Sequence, residues 1–220
     1  MSISDTLSAV LEELKPSGTT LVAVSKTKPI ELILEAYHAG QRIFGENKVQ
    51  EMVEKYEALP KDIQWHLIGH LQTNKVKFIA PFVNLIESVD SLKLLQEINK
   101  EAAKCNRVID CLLQIHIAKE ETKFGLSFDE ATELFTSDET TAMKNIKLVG
   151  VMGIATLTED QTIIRNEFRS LHQFYDAMKP STNFTILSMG MSSDYKIAIE
   201  EGSNLIRIGS ALFGERIYSK

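Results

Sequence analysis

The chain has 220 residues, of which 44% are hydrophobic, 25% charged and 7% aromatic, the composition of a soluble globular protein able to bury a core without staples. Twenty-four Lys and Arg against 30 Asp and Glu leave a net charge of −6, which gives no general attraction to nucleic acid or to anionic lipid. Its two cysteines, Cys105 and Cys111, cannot build a disulfide framework or a four-thiolate zinc site, and are expected to be buried or incidental free thiols.

The opening segment MSISDTLSAVLEELK lacks the basic start and apolar stretch of a secretory signal. It reads as an amphipathic helix with Val10, Leu11 and Leu14 as apolar points. No apolar run approaches the ~18–20 residues that span a bilayer, so no membrane association is expected and the chain is expected in the cytoplasm. The first strand is Thr20–Val24, nearly all apolar, as a strand covered on both faces should be. A helix follows it, with Pro29 at the start, Ile30, Ile33, Leu34 and Tyr37 along one stripe, and Gly40 where a left-handed residue ends the helix. Further strands are predicted at Arg42–Phe44, Gln64–Ile68, Asn84–Ser88, Val108–Ile117, Leu148–Ile154, Phe184–Ser188 and Asn204–Ile208. Helices are predicted between them near 46–58, 72–80, 91–104, 127–136, 161–178 and 192–201. In the 161–178 segment Phe168, Leu171, Tyr175 and Met178 mark one face, while Arg165, Glu167, Arg169 and Gln173 lie off it.

About eight strand–helix units at roughly 25–30 residues each approach the length of a full barrel. The expected fold is therefore α/β: a single (β/α)8 TIM barrel over residues 1–220, with an additional N-terminal helix. A doubly wound sheet and a smaller α/β sandwich are the alternatives. A doubly wound nucleotide binder would carry G-x-G-x-x-G after its first strand, where this chain has SKTKP.

Barrel chemistry collects at the C-terminal ends of the strands. The last two ends pair naturally. Ser188-Met189-Gly190-Met191-Ser192 reads as a small-residue and hydroxyl turn opening a helix, and Arg207-Ile208-Gly209-Ser210 offers similar chemistry next door. Together they suggest a cradle for a dianion, against the plainer reading of two tight turns. Lys26 ends an apolar strand, so its stem is expected to be buried and its amine to face the barrel mouth. Burial lowers a lysine pKa, as imine formation needs. An amine and a phosphate cradle on one rim point to an aldehyde-bearing phosphate, pyridoxal 5′-phosphate (PLP).

AVSKTKP, FGENKVQE, WHLIGHLQTNK, KFGL and LSMGMSSDYKIAIEEGSNLIRIGSALFGER, in that order from about residue 20 to 216, resemble the pyridoxal phosphate homeostasis proteins, the YggS/PROSC family. That resemblance implies a fold like the N-terminal barrel of alanine racemase, with PLP at its mouth. It implies that Lys26 forms the internal aldimine and that Asn47 lies near the cofactor ring. Ser188, Met189, Gly190, Met191 and Ser192 correspond to the phosphate loop, which Gly209 and Ser210 complete, and Arg207 corresponds to the arginine facing the pyridine nitrogen. Ser210, Asn204 and Lys196 depart from residues common in the family, and none puts the site in doubt.

The cofactor is the best electron sink when a carboxylate keeps its ring nitrogen protonated. A permanently charged Arg207 accepts no proton and favours an unprotonated ring. Racemisation needs acid and base groups on both faces of the substrate carbon, and in alanine racemases the second base comes from a further domain of a partner subunit. After the RIG motif only SALFGERIYSK remains. The expected function is accordingly to hold, buffer or deliver PLP in vitamin B6 homeostasis, without enzymatic turnover. An amino-acid racemase of weak or narrow activity is the competing reading. PLP is the expected ligand, apo forms of PLP-dependent enzymes are candidate partners, and a monomer is expected.

Several motifs are decoys. Ser25-x-x-Lys28 lacks the companion S-D-N and K-T-G of penicillin-binding enzymes. His66 and His70 are four apart but straddle a strand end, so a structural or rim role is expected rather than a metal. His116 is expected as a satisfied histidine near the mouth and Trp65 as core. Lys75 and Lys123 are candidate secondary aldehyde acceptors.

Overall fold

A computed structural model describes residues 2–120, 124–182 and 184–214. Lys123, the second of the two candidate secondary acceptors, lies outside the described residues. Helix α1 (Ile3–Leu14) opens with a capping box between Ser2 and Asp5, and buries Leu7, Val10 and Leu14. The described residues then alternate strand and helix: β1 (Thr20–Val24), α2 (Ile30–His38), β2 (Ile43–Glu46), α3 (Val49–Ala58) and β3 (Gln64–Leu67). A 3₁₀ turn (Thr73–Lys75) leads into α4 (Val76–Ile79), β4 (Leu85–Val89), α5 (Leu92–Lys104) and β5 (Ile109–Ile115). Next come α6 (Phe128–Thr136), α7 (Asp138–Thr141), β6 (Ile146–Gly153) and α8 (Gln161–Met178). The chain continues through β7 (Ile186–Met191), α9 (Tyr195–Glu200), β8 (Leu205–Ile208) and α10 (Ser210–Phe213).

The eight strands are parallel and close in chain order, β1 pairing with both β2 and β8. The expected barrel and the expected N-terminal helix are both present. Side-chain alternation along each strand makes two layers of core. Val22, Leu85, Leu112, Val149, Met152 and Leu205 form one cluster, inside the barrel. A larger one, with Phe44, Trp65, Ile86, Cys111, Phe168 and Ile206, packs the barrel's outer face against the helices. Trp65 is core, as expected, and both cysteines are free thiols, Cys111 buried and pushed upward in pKa by that burial.

The element boundaries differ from expectation in ways that matter near the mouth. The seventh strand runs to Met191 rather than ending at Ser188, and α9 begins at Tyr195 and spans only six residues. Gly190 at φ +99 is the cause. Its missing side chain lets the strand continue against α9, where a Cβ would meet Ala198 at 2.6 Å. On α8, Phe168, Leu171, Tyr175 and Met178 are buried as the stripe predicts, but so is Glu167. Its carboxylate accepts the Thr156 N–H at 2.7 Å and the Thr156 hydroxyl at 2.6 Å, an end-of-strand clamp that periodicity does not reveal.

Closure also depends on Gly150. A Cβ there would sit 1.8 Å from the Ile186 carbonyl oxygen of the neighbouring strand. Backbone cannot yield as a flexible side chain can, so Gly150→Ala is expected to lower the equilibrium unfolding free energy by roughly 3 kcal/mol. Urea denaturation checks this, and a change below about 0.5 kcal/mol would contradict the close approach.

Candidate functional site

The site is a cavity of about 670 Å³ at the C-terminal ends of the strands, within the range of small-molecule and cofactor pockets. Lys26, Asn47, Met191, Ser192, Arg207, Gly209 and Ser210 all line it, with Lys28, Ser193 and the apolar Val24, Ile68 and Ile154. Seven of the ten residues singled out from the sequence therefore share one wall system. Ser188, Met189 and Gly190 do not line it. They belong to β7, where Ser188 is wholly buried, Met189 joins the outer core and Gly190 faces α9. The turn reading fails for these three because Met and Gly look like loop residues, whereas here they continue a strand.

Lys26 is half-buried, two residues beyond β1, in a turn closed by the Lys28 N–H donating to the Ser25 carbonyl at 3.0 Å. The turn is strained and pinned. Thr27 has φ +62, a left-handed conformation that a β-branched residue rarely adopts. Its N–H donates to Glu51 Oε1 at 2.5 Å, and Glu51 is in turn paired with Lys55 at 2.7 Å. On the other side of Lys26, the Ser25 hydroxyl donates to Glu46 Oε1 at 2.6 Å, while Lys55 Nζ donates to the Ser25 carbonyl at 2.8 Å and to Glu46 Oε1 at 2.7 Å. Lys28 Nζ reaches the carbonyls of Phe213 and Gly214, tying α10 to the same turn. Backbone on both flanks of Lys26 is thus fixed by a buried ionic cluster.

Arg207 is buried, with 4% of its surface exposed. Its Nη2 donates to the Gly153 carbonyl at 2.9 Å and its Nη1 to the Ser188 hydroxyl. Burial pulls its pKa below the ordinary guanidinium value, while the Glu87 and Asp194 carboxylates push it back. A guanidinium has five N–H donors, so donors remain for a ligand in the cavity. Across the mouth, Ser192 Oγ accepts the Gly209 N–H at 3.1 Å and the Ala211 N–H at 3.4 Å, gathering backbone amides and hydroxyls at the ends of β7 and β8.

Other candidates separate from the cavity. His66 is buried and bonded through Nδ1 to Glu87 Oε1 at 2.8 Å, whereas His70 sits at the rim, bonded to Asp90 and stacked on Phe124. No group of three or more metal-ligating side chains occurs among the described residues. His116 is bonded to the Glu120 carbonyl at 2.9 Å, and Lys75 is exposed on the 3₁₀ turn and does not line the cavity. Glu46, Glu51, Lys55 and Glu87 were not found from the sequence, because a charged residue in a strand or on a helix carries no mark of its buried partner. Among the described residues, no helix is long and apolar enough to cross a membrane.

The chain matches the alanine racemase N-terminal domain family over residues 2–217. It is 42% identical over 230 residues to the pyridoxal phosphate homeostasis protein of Aquifex aeolicus (strain VF5), covering 99% of this chain and 100% of that one. The protein of the same name from Schizosaccharomyces pombe is 40% identical over 200 residues, covering 89% and 84%. The solved structure of PipY from Synechococcus elongatus PCC7942 with PLP bound superposes with a TM-score of 0.87 at 35% identity, covering 97% of this chain and 100% of that one. Alanine racemase from a D-cycloserine-producing Streptomyces lavendulae shares the fold alone, with a TM-score of 0.77 at 16% identity over 97% of this chain and 58% of that one.

Burial pushes the Glu46 carboxyl up to about 7, against the pull of Lys55 and the Ser25 hydroxyl, and its Oε2 has no partner among the described residues. The native state then holds this proton more tightly than the unfolded chain does. The resulting stabilisation is complete below the ordinary value of 4.5 and is lost as pH rises through about 7. The loss amounts to roughly 3 kcal/mol. Stability of the natural chain is expected to fall over that window relative to Glu46→Gln, with the Glu46 carboxyl carbon titrating near 7 by NMR. A midpoint in the ordinary carboxylate range would refute the assignment.

Proposed function

This chain belongs to the alanine racemase N-terminal domain family and, within it, to the pyridoxal phosphate homeostasis proteins, and from that premise we propose that it is a single-domain barrel that binds PLP and holds, buffers or delivers it. One observation carries the reading: a buried guanidinium with donors to spare and a lysine on a pinned turn line the same cavity. An aldehyde, a phosphate and an aromatic nitrogen on one small molecule match those walls.

The residues fit the group. Lys26 would hold the aldehyde carbon as a Schiff base. Ser192, Gly209 and Ser210 would hold the phosphate at the ends of β7 and β8, through the Ser192 and Ser210 hydroxyls and neighbouring backbone amides. Met191 and Asn47 would flank the ring, and Arg207 would face its nitrogen. Ser188, Met189 and Gly190, within β7, would support this wall from behind. When bound, PLP supplies an electrophilic carbon and an electron-withdrawing ring.

Arg207 sets the limit on that chemistry. An arginine gives its proton to no ring nitrogen at neutral pH and takes none from it. The ring is held as a neutral acceptor, which weakens carbanion stabilisation. The strained Thr27 turn and its ionic anchor fix the backbone from which the Lys26 amine would reach the aldehyde. Transfer to apo enzymes and a cytoplasmic site of action are part of this proposal.

Borohydride reduction of the PLP-loaded protein followed by peptide mapping tests it. The adduct is expected on Lys26, and Lys26→Ala is expected to lose the yellow absorbance while keeping its circular dichroism and melting temperature. An adduct on Lys28, Lys75 or Lys123 in place of Lys26 would overturn the assignment.

A further inference from the structure

The barrel holds a second cavity, of about 420 Å³, at the opposite end, lined by Gln64, His66, Asn84, Asp110 and Leu205 among others. Leu205 lines this floor, and Arg207, two residues along the same strand, lines the mouth. Between the two runs a continuous column of buried polar side chains. His66 Nδ1 meets Glu87 Oε1 at 2.8 Å, the Ser188 hydroxyl donates to Glu87 Oε2 at 2.6 Å, and Arg207 Nη1 donates to the same hydroxyl. Arg207 Nη1 also lies 3.7 Å from Glu87 Oε2. All four side chains are buried, and they come from four different strands.

A carboxylate with no access to water is unfavourable unless its oxygens are satisfied. Burial raises the Glu87 pKa, but His66, Arg207 and the Ser188 hydroxyl outweigh it and hold the carboxyl below its ordinary value. The ionised Glu87 therefore acts on Arg207 in two ways. It offsets the guanidinium charge, and through Ser188 it fixes the direction in which the remaining donors point. His66, which does not line the mouth, completes the other oxygen of the same carboxylate. Nothing in the architecture of a barrel requires this column, and an apolar layer like the one formed by Val22, Leu112 and Met152 would fill the same space.

Resting on the PLP reading above, we propose that Glu87, Ser188 and His66 are positioning residues that act through Arg207 on the ring nitrogen of the bound cofactor, so that a histidine at the barrel floor tunes affinity at the mouth. The specificity this confers is for an aromatic ring bearing an unprotonated nitrogen acceptor.

The test compares binding of PLP with that of 1-deazapyridoxal 5′-phosphate, in which a C–H replaces the ring nitrogen while aldehyde and phosphate are kept. Glu87→Gln is expected to weaken PLP binding at least tenfold and His66→Asn about threefold, each changing affinity for the deaza analogue by less than twofold. Should Glu87→Gln fail to fold, Ser188→Ala carries the same expectation as Glu87→Gln. Equal losses for both ligands would mean general loosening of the barrel and would overturn the proposal, as would no loss, or a gain, for PLP. Natural protein that takes up neither compound, or carries them away from Lys26, would instead overturn the underlying PLP reading.

Discussion

A guanidinium enclosed by parallel strands is costly, and the barrel interior is arranged around lowering that cost. Arg207 is held by the Gly153 carbonyl and the Ser188 hydroxyl, with the Glu87 carboxylate behind that hydroxyl and His66 behind the carboxylate. Removing one partner from such a set leaves an uncompensated buried charge, which typically costs about 3–5 kcal/mol. The column consequently carries two burdens at once. It is part of what the folded state must keep satisfied, and it presents donors of fixed direction to the mouth cavity.

The opposite wall is built on similar lines. Glu46 and Lys55 pair between the barrel and α3, and the carbonyl and hydroxyl of Ser25 are drawn into the pair. Glu51 holds the N–H of a left-handed Thr27. Lys26 sits between these anchors, so its backbone is held rigid by charges that never touch the cavity. Strain of this kind persists where surrounding structure over-determines it, and it tends to collect at functional sites. One wall carries a lysine on a fixed backbone and the other a guanidinium held by its own hydrogen bonds, both lining one cavity.

Much of this was legible in the residues. Short apolar runs alternating with period-3.6 stripes carry the strand–helix alternation and the barrel, and the stripe of α8 at Phe168, Leu171, Tyr175 and Met178 is buried as its spacing implies. Lys26 is legible because it stands just past the end of an apolar strand, whereas the role of Arg207 comes from the family resemblance. Two kinds of information were not there. Where β7 ends depended on Gly190 and α9 approaching each other, a tertiary contact that made Ser188 to Gly190 strand instead of turn. The Ser188 partner of Glu87 lies 101 positions away along the chain, and no local pattern marks a carboxylate whose counter-ion arrives from another element, as Arg207 does for Glu87 and Lys55 for Glu46. The burial of Glu167 is hidden for the same reason, its partner being Thr156 just beyond β6.

The central claim is that Arg207 keeps the nitrogen of a bound pyridoxal ring free of a proton. Loading the protein with PLP labelled with ¹⁵N in the ring and recording its NMR spectrum at neutral pH reads that directly. The account predicts a nitrogen shift in the range of a neutral, hydrogen-bonded pyridine that does not move as pH is varied around neutrality. A shift in the pyridinium range would contradict it.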